Sequence, residues 1–251
     1  KNTDMEKRKE EKEYYVSCLT RLCLSILKEA DIYDSANAFH NPKQRIWKEN
    51  ERRKHWVDAW GRIEAMYQRY EGGSNLSELN KTRNSLANLV KIAAMSSRDG
   101  IFKLELPTGA GKTKAGLRYA LTNAMEYDQS RIFYITAYLS VLEQNAADIR
   151  EIVDMEDVIL EHHSNVVEDN DKISEGENDN DDYKHQTYLK ESWEQLIILT
   201  TMVQFLNTLF KEKASNLRRF CKLINSVIII DEVQSLPLKV LSNFNLMMNF
   251  M

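Results

Sequence analysis

The sequence predicts an α/β fold, a parallel sheet with helices on both faces, preceded by an all-α N-terminal segment. Three observations predict it. Leu106 to Thr113 reads LPTGAGKT, a glycine-rich turn between a strand-like alternation (Phe102, Leu104 and Leu106 against Lys103 and Glu105) and a helix-like run (Ala115, Leu117, Ala120, Leu121, Ala124). Val227 to Gln234 reads VIIIDEVQ, an aliphatic, β-branched run that ends in two carboxylates. From Ile101 onward short β-branched runs alternate with helical stretches, whereas the chain before it shows helical spacing alone.

Lys1 to Glu13 is a block of mixed charge that can extend a helix but cannot build a core. Tyr15, Leu19, Leu22, Ile26 and Ala30 then recur every three or four residues, as the buried stripe of a helix does. Asp31 and Asp34 close it; two acids near a helix C-terminus oppose the macrodipole, and solvated turn residues are their plainer reading. After a turn at Asn41-Pro42, a helix is predicted from Arg45 to Tyr70, with Trp56, Trp60, Ile63, Tyr67 and Tyr70 on one face as packing residues rather than a base-stacking platform. Gly72-Gly73-Ser74 reads as a hinge.

A third helix is expected from Ser77 to Ser96, turning Leu79, Leu86, Leu89, Val90 and Ala93 inward. Arg83 stands out on it, because the helix leads into the glycine-rich turn and its side chain could approach a nucleotide base; a salt bridge is the favoured reading. Strands are expected at Ile101 to Leu106, Arg131 to Thr136, Asp157 to Leu160, Leu196 to Thr200 and Val227 to Asp231. The chain thus divides into a helical segment (1–71), a linker with a lead-in helix (72–100) and an α/β lobe (101–251). Residues 167–182 are too polar to fold alone and read as a disordered loop.

Composition narrows the class. The apolar content of 43% suits a globular core, and the longest aliphatic stretch, Val227 to Ile230, is far short of the roughly 18 residues of a membrane span. The N-terminus is charged rather than signal-like, so a cytoplasmic protein without a membrane partner is expected. Cys18, Cys23 and Cys221 form no CxxC pair and read as core thiols in a reducing compartment. The net charge of −4 hides a segregation: residues 168–182 carry eight acids against Lys172 alone, so the remainder of the chain is mildly basic and compatible with a nucleic-acid partner.

The chemistry sits in the two opening stretches. Thr108, Gly109, Ala110, Gly111, Lys112 and Thr113 are the candidate nucleotide-binding segment. Its glycines let backbone N–H groups face phosphate oxygens, Lys112 places a positive charge at the β and γ phosphates, and Thr113 offers a hydroxyl to Mg²⁺. Asp231 and Glu232 emerge where a buried parallel strand meets its loop, which is where a metal-bound nucleotide needs carboxylates. ATP is the expected ligand. Leu106 stands where the general phosphate-loop pattern has glycine, and the strand–turn–helix context carries the assignment; a glycine-rich turn plus an acidic strand end is the plainer alternative. His162 and His163, adjacent on a strand, point to opposite faces and cannot both ligate one metal, so a structural or DNA-facing role is favoured.

PTGAGKT, ITAYLSVLEQNA (Ile135 to Ala146), EHHSN (Glu161 to Asn165), ILTTMVQFLNTLF (Ile198 to Phe210) and IIIDEVQSLP (Ile228 to Pro237) together resemble the helicase half of the CRISPR-associated helicase-nucleases of type I interference systems, DExH-type enzymes of superfamily 2. Many superfamily 2 enzymes share the first and last stretches, whereas the middle three and the Gln of DEVQ are more specific. LKEADIYDS (Leu27 to Ser35) resembles the tail of that family's HD nuclease domain. The resemblance touches most of the chain from about Tyr15.

The resemblance implies a P-loop, RecA-like lobe that clamps ATP·Mg²⁺ against a second RecA-like lobe and moves 3′ to 5′ along single-stranded DNA, unwinding it for degradation in partnership with a CRISPR RNA-guided surveillance complex. It implies that Lys112 neutralises phosphate charge, Thr113 and Asp231 hold Mg²⁺, Glu232 orients the attacking water as general base, and Gln234 senses the γ phosphate. Thr136, Gln144, Thr200, Thr201 and Gln204, at or just beyond strand ends, would hydrogen-bond the nucleic-acid backbone without reading sequence, while helix N-caps are an equally natural role for Thr200 and Thr201. Asp31 is the carried-over ligand of a divalent transition metal at the HD site. That family's later motifs, its second lobe and the other HD ligands have no counterpart in the sequence, which therefore reads as an internal piece of a longer protein that is weak or inactive alone. Another superfamily 2 enzyme acting on DNA or RNA, and a non-hydrolysing ATP-binding scaffold, are the alternatives.

Overall fold

The computed structural model describes residues 2–40, 47–71, 77–107, 109–163 and 192–251. Thr108, the Gly72-Gly73-Ser74 hinge, the Asn41-Pro42 turn and the acidic 167–182 loop lie outside the described residues. Three long helices come first: α1 (Asn2–His40), α2 (Glu49–Glu71) and α3 (Glu78–Ser96). The α/β part follows as α4 (Lys112–Tyr127), β1 (Arg131–Thr136), α5 (Leu139–Val153), β2 (Ile159–His162), β3 (Ile197–Thr201), α6 (Met202–Phe210), α7 (Ala214–Phe220), β4 (Ser226–Ile230) and α8 (Leu241–Phe250).

The four described strands form one parallel sheet in the order β2-β3-β1-β4. Period-two alternation sorts their side chains into two cores. Ile132 and Tyr134 of β1 face a layer of α2, α4 and α5 that contains Trp56, Ile63, Leu117, Leu121 and Ile149, while Phe133 and Ile135 face the opposite layer with Phe205, Phe220 and Phe244. An α/β sheet covered on both faces is therefore what the chain builds.

The N-terminal helices divide between these layers. α1 lies along α7 and α8, and α2 lies along α4 and α5. A ring of hydrogen bonds fastens α2 at one end: Arg52 is bonded to Asp128 through Nη2 at 2.7 Å, and Trp56 Nε1 donates to the Gln129 carbonyl at 2.8 Å. Further along, Arg118 of α4 bridges to Glu64 of α2 through Nε at 2.6 Å and Nη2 at 2.8 Å, and Lys91 of α3 reaches the same carboxylate at 2.7 Å. On the other face Glu29 of α1 receives Arg218 Nε at 2.8 Å and pairs with Lys222 at 3.4 Å.

Several expectations are corrected. Residues 101–107 form no strand: they are irregular, with Ile101, Phe102 and Leu104 exposed. The alternation is present, but a strand needs a neighbour to complete its backbone ladder, and no described strand pairs with this segment. β4 accordingly stands at a sheet edge, with every residue only half-buried. The expected strand from Asp157 begins later, because Glu156–Val158 is a 3₁₀ turn.

On α1 the inward residues include Tyr14, Cys18, Leu22 and Ser25, whereas Leu19, Ile26 and Ala30 face out. Polar demand chooses that face: Arg21 Nη2 donates to the carbonyls of Thr208 at 3.0 Å and Lys211 at 2.5 Å, near and just beyond the end of α6, where a helix leaves carbonyls without partners. Ser25 likewise accepts from the Cys221 N–H at 2.8 Å. Cys23 is exposed on the outer face rather than a core thiol. Tyr70 of α2 is also exposed.

On α3 the buried residues are Asn84, Ala87, Val90 and Ala94, and Leu79, Leu89 and Ala93 turn outward. The small residues bring α3 close enough for α4 to bond it directly, through Arg118 to Asn88 Oδ1 at 2.9 Å and Asn123 Nδ2 to the Ser97 carbonyl at 2.6 Å.

Candidate nucleotide site at the carboxyl ends of the strands

The phosphate-loop sequence reaches α4 through two glycines held at positive φ, Gly109 at 79° and Gly111 at 79°. An L-residue resists that backbone, so these are positions where glycine is required. Gly111 caps α4 at its N-terminus with no side-chain bond, leaving the first N–H groups of the helix directed out of its end, where an anion is favoured. Ala110 N–H closes the turn onto the Pro107 carbonyl at 3.0 Å. In place of the expected salt bridge, Arg83 of α3 donates Nε–H to the Gly109 carbonyl at 2.7 Å and Nη1 to Asn80 Oδ1 at 3.2 Å, so a guanidinium braces the loop from outside.

Asp231 follows β4 directly. Its N–H continues the ladder to the Ile135 carbonyl at 2.8 Å, which sets where the carboxylate leaves the sheet. Partial burial raises its pKa, the Glu232 charge raises it further, and the ammonium of Lys112 pulls it down. Lys112 and Asp231, distant in sequence, are therefore within electrostatic reach of one another. Glu232 sits in the left-handed region at φ 57°, an uncommon conformation for a non-glycine residue, and its carboxylate accepts a hydrogen bond from Gln234 Nε2. The turn thus spends backbone strain to project the second acid, a pattern found at functional sites.

Thr113, in the first turn of α4, donates its hydroxyl proton to Asn145 Oδ1 at 3.2 Å. Tyr134 is buried on β1 close by; burial pushes its hydroxyl pKa up, and the nearby Asp231 charge adds to that. Asn145 and Tyr134 were not among the expected site residues. A signal for Asn145 was present: Leu142, Ala146, Ile149 and Val153 make the buried stripe of α5, and Asn145 interrupts it as a polar side chain on an apolar face.

The other expected site residues are spread along the same sheet end. Thr136 and Thr200 are buried, with their hydroxyls spent on the Tyr138 carbonyl at 3.2 Å and the His162 carbonyl at 2.8 Å. Thr201 is the N-cap of α6 and accepts from the Gln204 N–H, while Gln144 is exposed on α5 and Gln204 half-exposed. His162 and His163 are both buried; His162 meets Trp193 edge-on at 5.6 Å, and its two ring nitrogens have no hydrogen-bond partner among the described residues. Burial, with Arg219 and His163 beside it, pushes the His162 pKa down to about 3.

The donor set suits a hard cation. A threonine hydroxyl and a carboxylate beside a phosphate loop are oxygen ligands of the kind Mg²⁺ takes alongside nucleotide oxygens. Nothing comparable surrounds Asp31, which is exposed, and no group of three or more His, Cys, Asp or Glu residues among the described residues is arranged to hold a metal ion. These residues do not fit a transition-metal nuclease centre. No described helix is long and apolar enough to cross a membrane.

Residues 74–242, about two thirds of the chain, match the family described as type III restriction enzyme, res subunit. The chain is also 30% identical over 150 residues to a CRISPR-associated nuclease/helicase Cas3 of Haloferax volcanii, an alignment covering 55% of this chain and 16% of that protein. The chain thus spans a small part of that relative's length. With glycine-rich loop, lysine and acid pair gathered at one end of a parallel sheet, the chain belongs to the type III restriction enzyme res-subunit family, a helicase-type group of superfamily 2.

Proposed function

We propose that this chain forms the ATP-binding motor lobe of a DNA helicase that moves 3′ to 5′ along single-stranded DNA and serves a type I CRISPR effector. The observation that carries the nucleotide part is the phosphate loop at the N-terminus of α4, held by two glycines at positive φ, with Lys112 close enough for its charge to be felt at Asp231. The likeness to the Haloferax protein supports the CRISPR assignment.

In this reading the N–H groups at the start of α4 and the Lys112 ammonium bind the β and γ phosphate oxygens, and Thr113 and Asp231 hold Mg²⁺. The metal supplies neutralisation of phosphate charge. Glu232 takes the proton of the attacking water, with Gln234 fixing the direction its carboxylate faces through the hydrogen bond between them. Gln144, Thr201 and Gln204, which retain exposure at the strand ends, meet the nucleic-acid backbone. A second RecA-like lobe, in the same polypeptide or another, supplies the opposite wall of the site.

The test is titration calorimetry with Mg·ATP. Lys112→Ala should weaken binding at least about tenfold while the melting temperature holds, since the ammonium acts on the ligand rather than the core; unchanged affinity refutes the assignment. Competition between single-stranded DNA and RNA of one sequence reads the nucleic-acid preference. A second reading, a DNA translocase outside CRISPR systems, is favoured by the match to the restriction-enzyme family. Binding to a CRISPR RNA-guided complex separates the two.

A further inference from the structure

A threonine hydroxyl has one proton and two lone pairs. At Thr113 the proton goes to Asn145 Oδ1, which leaves the lone pairs of the hydroxyl oxygen unused by that bond. A cation ligand needs that arrangement: the proton turned away, a lone pair turned toward the metal. Asn145 is 5% exposed and sits on the apolar stripe of α5, where a leucine would pack without polar cost. Its Nδ2, also buried, has no hydrogen-bond partner among the described residues. A half-satisfied amide in that position is explained by what its other half does to Thr113.

We infer that Asn145 is a positioning residue of the nucleotide site: by accepting the Thr113 proton it presets the hydroxyl as a magnesium ligand, and so sets how strongly ATP binding depends on the metal. The inference rests on the nucleotide-site reading above and adds to it a residue on a different helix. α5 carries Gln144 outward and Asn145 inward at adjacent positions, so a displacement of this helix by a nucleic acid would reach Thr113 through the Asn145 hydrogen bond.

The experiment measures the affinity for ATP with Mg²⁺ and with EDTA, and takes the ratio. Asn145→Ala should lower that ratio about tenfold, the scale at which residues behind a metal ligand act, while metal-free ATP affinity stays at the wild-type value. Asn145→Asp, which accepts the same hydrogen bond, should restore the ratio. In a Thr113→Ala background Asn145→Ala should have no further effect on it. An unchanged ratio in Asn145→Ala, or an equal loss with and without metal, overturns the inference. Should Asn145→Ala fail to fold by thermal melting, Asn145→Leu keeps the branched side-chain shape without the hydrogen-bond acceptor and reads the same ratio. If wild-type protein shows no metal-dependent ATP binding, the nucleotide-site reading fails; if it does and Asn145 has no effect on the ratio, only the present inference fails.

Discussion

Replacing Glu64 by leucine tests what holds the N-terminal helices to the sheet. Glu64 is 7% exposed and Arg118 is 3% exposed, and their bidentate pair is completed by Lys91 and by Asn88. Arg118 also lies over the Tyr67 ring at 4.3 Å. Glu64→Leu leaves a guanidinium buried without its counter-charge, which costs about 3–5 kcal/mol. For a chain of this size that is a fall in melting temperature of roughly 6–20 °C. Glu64→Leu with Arg118→Met removes both charges and should recover most of the loss, because an apolar pair of similar volume avoids the desolvation that the ion pair has to overcome. Burial by itself would raise the Glu64 carboxyl; hydrogen bonds and charge from Arg118 and Lys91 override it and hold the pKa below the ordinary value of 4.5. The pair's contribution is therefore present at pH above about 4.5 and is lost as pH falls through the lowered folded value. Urea unfolding of wild type, the single and the double variant at neutral pH reads the cycle. A single variant costing under about 1 kcal/mol, or a double variant no better than the single, refutes the reasoning.

Two further outcomes follow from the site's electrostatics. The Asp231 pKa is raised in the folded state, so its charge opposes folding above that pKa and the opposition fades as pH falls through it; Asp231→Asn should raise the melting temperature by about 1–3 °C at pH 7.5, a figure that allows for solvent screening, and by less at pH 4. Thermal melts at the two pH values check this, and equal shifts would count against the pKa rise that burial and Glu232 together impose on Asp231. His162 is held neutral down to about pH 3, so the unfolded chain takes up a proton below its ordinary 6.5 that the folded chain refuses, and stability falls between those values. His162→Phe, which keeps the ring against Trp193, should remove about 2 kcal/mol of the destabilisation between pH 7.5 and pH 5, measured by urea unfolding; an unchanged pH dependence would refute it.

Much of the site is legible along the chain because its chemistry is local. Gly109, Gly111, Lys112 and Thr113 are consecutive or nearly so, and a turn that needs positive φ declares itself by glycine. The β-branched run ending in Asp231 and Glu232 likewise states a strand and its exit, though not that the strand is a half-buried edge. Alternation against helical spacing separates the sheet-forming part from the helices before it, since periods of two and of 3.6 residues are written in the order of side chains.

Which face a helix turns inward is another matter when two faces are apolar. α1 and α3 each carry a second stripe, with Leu19 and Ile26 on one and Leu79 and Leu89 on the other, and both stripes lost to faces that offered hydrogen bonds or small residues to a specific neighbour. The same holds for residues 101–107, whose alternation is that of a strand but whose backbone groups find no ladder. Thr136 and Thr200 are at strand ends as their spacing implies, yet the carbonyls of Tyr138 and His162 use their hydroxyls. Asn145 belongs to the site because α5 packs beside α4. By itself the sequence determined the glycine turn, the acid pair and the alternation of strands and helices, since each is a property of neighbouring residues; the inward faces, the edge at β4 and the partner of Thr113 were decided only by tertiary structure, because a hydrogen bond or a packed face exists only once its second member has been brought alongside.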